Sequence, residues 1–176
     1  MRAGSSSERA WRPDVAAQPA RGRSDTRRQA SAAPFVAIGV VCVIAGGLVA
    51  AVTAPVATES SSWASAYLVL VAGVAQIGLG LGSSVLAPRP PSRVSRIGTL
   101  ALWNLGNGSV LAGVLLDLTT LVDTGGVALV IALVLALRTV RRSTGPALLL
   151  RAYWLLVVVL GLSIPIGLVL SRIRGG

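Results

Sequence analysis

Four side chains in this sequence set hydrogen-bonding chemistry in a strongly apolar background: Gln76, Asn104, Asn107 and Ser109. Their amides and hydroxyl can bind a dipole or hold two helices in register, but none of them titrates near neutral pH. The rest of the inventory narrows the chemistry further. The chain has no His and no Lys, its one Met is Met1, and its one cysteine is Cys42. The usual general base and the Ser–His and Ser–Lys pairs of nucleophilic catalysis are therefore missing. Haem and copper lack a donor set. No catalytic residue, cofactor or metal site is assigned, and the chain reads as a non-enzyme. Asp117 and Asp123 place two carboxylates in one short connection, where they read as solvated charges rather than as a cation site. Cys42 lies within an apolar run and reads as a small packing residue.

The run Gly106-Asn107-Gly108-Ser109 resembles in outline the Gly-x-Ser-Gly segment of rhomboid-type intramembrane proteases. That resemblance implies a serine nucleophile with a histidine partner, and the chain contains no histidine. Ser109 is left as a packing or lining residue.

The elements that must position these groups are membrane helices. The 176 residues are 53% hydrophobic and 12% charged, with mean hydropathy +0.76, whereas a soluble domain carries about 25% charged residues. Net charge is +10 and all sixteen basic residues are Arg, a bias that with abundant Ala, Gly, Val and Leu points to a high-GC bacterial genome. Arginines flanking helix ends account for the charge without nucleic acid. The fold class expected is an all-α integral membrane protein. It is a bundle of about five transmembrane helices behind a disordered, basic N-terminal tail.

The tail is 1–33, with seven Arg, one large hydrophobe (Trp11) and no periodic apolar face. Its length, the long apolar run after it and Pro55 favour a retained anchor over a cleaved signal. Expected spans are 34–57, 63–87, 97–118, 121–140 and 147–170, followed by a short C-terminal tail, 171–176. The fourth is the shortest, because only 14 residues separate Asp123 from Arg138, about 21 Å of helix. Fourteen of the sixteen arginines fall in the tail, the loops near 89–96 and 138–142, or at Arg151. Those segments are placed in the cytoplasm and Glu59, Asp117 and Asp123 outside. Five spans then leave Arg172 and Arg174 on the outer side. The expected location is the bacterial cytoplasmic membrane, with the N-terminus inside and the Arg-rich loops against anionic lipid headgroups.

Among these spans, 97–118 is the least plain, and the neighbouring helices are expected to pack around it. Asn107 lies ten residues past Ile97 and Gln76 eleven before Ala87, depths of about 15 and 16 Å, so an amide hydrogen bond between them is expected. Gly46, Gly78, Gly82, Gly106 and Gly113 are expected to let helix backbones approach closely. The functional expectation is a structural or accessory subunit that associates with another membrane protein or with a second copy of itself. The alternative is a small solute transporter or channel subunit with Gln76, Asn104 and Asn107 along a polar track.

Overall fold

The computed structural model describes residues 18–88, 91–141, 143 and 145–174. They are about nine-tenths helical, with no strand among the described residues. Helix α1 is Gln18–Thr53, and a single 3-10 turn, Ala54–Val56, follows it. The second span is composite: α2 Glu59–Tyr67, a π-helical segment Leu68–Ala75, and α3 Gln76–Leu86. Helices α4 Arg93–Leu115, α5 Thr119–Val140 and α6 Ala147–Arg174 complete the chain.

Local chemistry explains the boundaries. Thr58 and Ser61 cap α2 reciprocally: the Ser61 N–H donates to Thr58 Oγ1 at 3.2 Å and the Thr58 N–H to Ser61 Oγ at 3.0 Å. Ser92 caps α4 by accepting from the Ser95 N–H at 3.1 Å. Between α4 and α5, Asp117 adopts φ 54°, the left-handed region, and the Leu118 N–H donates to the Gly113 carbonyl at 2.8 Å. That is a Schellman closure with Asp in the place that Gly usually takes. Asp117 thus shapes the turn.

One expectation is corrected at the N-terminal side. The stretch 18–33, expected to be disordered, belongs to α1, which runs unbroken through Pro34. Ser31, Ala32 and Phe35 are buried, because this turn lies on α3 with Phe35 directly against Gly80. Once the membrane half of the helix is anchored, nucleation is complete and each further residue adds a hydrogen bond. Residues 1–17 of the expected tail lie outside the described residues.

Of the five expected spans, three correspond to helices long and apolar enough to cross a membrane among the described residues: Ala30–Val56, Glu59–Leu86 and Thr119–Val140. The last contains the stretch that looked shortest, since Asp123 and Arg138 lie within the helix instead of ending it. Helix α4 falls outside the set because Trp103, Asn104 and Asn107 dilute its apolar content. The apolar part of α6 that is described, Ala147–Ser163, is shorter.

The centre of the bundle is α5 rather than the 97–118 helix. Eight α5 residues are buried, against five in α4. The core cluster draws Leu129, Ala132, Leu133, Ala136 and Val140 from α5, joined by Leu79 from α3, Trp103 from α4 and Tyr153 from α6. Small residues at 125, 126, 132 and 136 let α5 take neighbours on several sides. Helix α4 packs chiefly on α5, and α1 packs on the composite second span.

Two crossings are sealed by facing glycines. A methyl on Gly39 would sit 2.9 Å from the Gly73 carbonyl oxygen, and one on Gly73 3.0 Å from the Gly39 oxygen. Gly106 and Gly125 meet in the same way, at 2.9 and 2.7 Å.

Candidate functional site

On α4, Thr99, Trp103, Gly106, Asn107 and Gly113 are buried, a three- and four-residue spacing that defines one face. Asn107 donates from Nδ2 to the Trp103 carbonyl at 2.7 Å, and Asn104 from Nδ2 to the Leu100 carbonyl at 2.8 Å. Each amide therefore turns back on its own helix, as short polar side chains do where no partner helix offers a group. Asn104 and Ser109 lie off the buried face and are half-buried.

Gln76 sits where the π-helical segment gives way to α3. It is 0% exposed, and neither Oε1 nor Nε2 has a hydrogen-bond partner. Asn107 Oδ1 and Trp103 Nε1 are likewise buried and unpartnered. The expected Gln76–Asn107 hydrogen bond is thus absent. Matching depth was satisfied on paper, but α3 packs on α1, α5 and α6, whereas α4 meets the second span along the π-helical segment. Two helices at one depth need not be neighbours.

Among the described residues the Tyr67 and Tyr153 hydroxyls are also buried without a partner. Each such group costs about 1–3 kcal/mol. Trp103, Tyr67 and Tyr153 belong to this set without being among the residues singled out from the sequence. Tyr67 stacks on Trp63, with ring centroids 5.0 Å apart. The buried set comprises amides, an indole and phenols, so it can bind dipoles but holds no proton-transfer group of ordinary strength. No group of three or more potential metal ligands occurs among the described residues.

The five glycines singled out for packing all meet neighbours inside the chain. A methyl on Gly46 would lie 2.8 Å from the Ser65 carbonyl oxygen, on Gly78 2.9 Å from Leu156, and on Gly113 2.7 Å from Val122. Gly82 lies directly under the Tyr153 ring, and Gly106 faces Gly125. By contrast Gly47, Gly98, Gly108 and Gly161 face open space. Beside Gly108, Leu105 is 69% exposed.

Family models, curated proteins and solved structures offer no match to this chain. Geometry alone carries the reading. Gln76 and Asn107 are buried, and neither of the two cavities described, both at the end of the bundle where α4 begins and α5 ends, is lined by Gln76, Asn104 or Asn107.

Proposed function

We propose that this chain is a non-catalytic, multi-pass protein of a bacterial cytoplasmic membrane. In this reading five helices cross, the N-terminus is cytoplasmic, and the chain acts as a structural or accessory subunit for another membrane protein. The observation that carries it is the outer side of α4. There Asn104 is half-exposed, and its side-chain amide bonds only through Nδ2, to its own helix, leaving Oδ1 open among the described residues. Gly108, one turn on, has nothing within 4 Å. A side-chain amide facing hydrocarbon is costly, and membrane helices satisfy such groups across helix–helix contacts. The partner surface supported here is α4, and the glycines at 78 and 82 are already occupied by α6.

The rival reading is a small solute transporter or channel subunit using Gln76, Asn104 and Asn107, two of which have little exposed surface. Gln76 and Asn107 are 0% and 4% exposed. A photo-crosslinking residue at position 105 or 108 tests the proposal in whole cells. It should give one discrete adduct, while the same residue at Val41 or Leu48 on the exposed side of α1 gives none. Adducts from α1 alone, or solute flux into liposomes holding only this purified chain, would overturn it. A reporter fused after Gly176 should read periplasmic, and a cytoplasmic reading would remove one crossing.

A further inference from the structure

Four helices converge at the end of the bundle where the α3–α4 and α5–α6 connections lie. A small cavity of about 20 Å³ sits there between α1, α3, α4 and α5, with Ser31, Ser83, Ser95, Arg96, Thr99 and Thr139 among its walls. It adjoins a wider open groove of about 670 Å³, whose walls include Pro91, Ser92, Ser95, Leu135, Arg138 and Thr139. Pro91, Ser95 and Thr139 border both.

The hydrogen-bond donors and acceptors of this cleft are sorted. Ser83, Thr99 and Thr139 spend their hydroxyl protons on carbonyls of their own helices, those of Gly80, Ser95 and Leu135, at 2.9–3.0 Å. They leave only lone pairs to the cleft. The Ser95 hydroxyl makes no bond among the described residues, and that of Ser92 accepts from the Ser95 N–H, so both protons are available. With the guanidinium groups of Arg96 and Arg138, these make a donor set suited to a phosphate. Glu59, Asp117 and Asp123 all lie at the opposite end of the helices.

Below the cations the walls turn apolar. On α5, Ile131 and Val134 are 44% and 42% exposed on the face that ends in Arg138. A fatty-acyl chain can run down this surface while its phosphate stays among the arginines. The geometry points to a binding site for the headgroup phosphate of an anionic membrane phospholipid, held by Arg96, Arg138, Ser92 and Ser95. The inference rests on the bundle standing in a bilayer and is independent of any partner at α4.

The test is native mass spectrometry of the full chain, purified and delipidated, titrated with phosphatidylglycerol or phosphatidylcholine. One phosphatidylglycerol should be retained per chain, in preference to phosphatidylcholine. R96Q and R138Q should each weaken retention about tenfold or more, the loss expected of a hydrogen bond to a charged group. R141Q removes an equal charge from the same end without touching the groove, and should cost no more than about fivefold, the worth of diffuse attraction. S95L, which fills the shared wall at unchanged charge, should also lose the lipid while keeping its helical circular dichroism. Equal losses in R96Q and R141Q, or equal retention of the two lipids, would overturn the site. Displacement of the lipid by millimolar inorganic phosphate would assign the groove to a soluble anion instead.

Discussion

Replacing glycines by alanine along α4 and α5 tests which face of α4 is buried. Gly106 and Gly108 are two residues apart and see opposite surroundings. A methyl on Gly106 would sit 2.9 Å from the Gly125 oxygen and from Leu129, while one on Gly108 would meet nothing within 4 Å. On Gly125 it would lie 2.7 Å from the Gly106 oxygen and 2.9 Å from the Val110 nitrogen, both backbone atoms that cannot swing aside. Ordinary contact needs the helices to part by roughly 0.5 Å or more, and overpacking of this kind costs about 1–3 kcal/mol. Alanine returns up to about 1 kcal/mol through helix propensity at each position. G108A should therefore stabilise by up to ~1 kcal/mol. G106A, whose Leu129 neighbour has a flexible end, should destabilise by about 1, and G125A by about 2. The span from G108A to G125A corresponds to roughly 6–12 °C in Tm. Thermal unfolding in detergent followed by tryptophan fluorescence measures it, Trp103 being buried beside this crossing. If G108A destabilises as much as G125A, α4 is rotated and its buried face has been misassigned.

Further substitutions probe the interior and its helix contacts. Gln76→Leu should stabilise by about 1–3 kcal/mol, since both of its polar atoms are unpartnered. In a cycle with Asn107→Leu the two effects should add to within about 0.5 kcal/mol, and a coupling above ~1 kcal/mol would restore the amide pair. Tyr153→Phe should raise the thermal midpoint, because it removes a buried unpartnered hydroxyl and keeps the ring; a lower midpoint would mean that the hydroxyl is bonded. Gly82→Ala must displace the Tyr153 ring and should cost about 2 kcal/mol in the isolated chain. Gly161→Ala, facing open space within α6, should stabilise by up to ~1 kcal/mol as at Gly108, and equal losses at the two sites would reject the α3–α6 contact.

Helix positions were largely legible because uncharged runs end at prolines, arginines and the Asp117 turn. The runs 121–140 and 147–170 start within two residues of α5 and α6. The neighbours of each helix were not legible. Depth along the membrane is counted in residues, but the arrangement of helices around one another depends on which small residues face each other. Gly125 against Gly106 is invisible until both faces are known. The polarity of 97–118 suggested a helix surrounded within the chain; instead each amide nitrogen bonds its own backbone and Asn104 stays on the half-exposed side. The helical stretch 18–33 escaped notice because composition reports on what a segment could bury alone, and this one is continued from a helix already formed.

The π-helical turn at Leu68–Ala75 gives the second span a spare residue. An i→i+5 turn holds one more residue than an α-turn within the same stretch of helix, so the extra one is absorbed where the segment crosses α1 at Gly39 and Gly73. On either side, Ser65 still meets Gly46 and Gly80 still meets Phe35. Chain length is therefore negotiable there and fixed elsewhere. Deleting one residue within 69–72 should relax the turn to ordinary α-helix and leave both flanks on their partners. The same deletion within 77–81 would rotate the rest of α3 by about 100°, carrying Gly82 away from Tyr153. Gene variants of this chain that differ by a single codon in the second span should carry the gap at the wide turn.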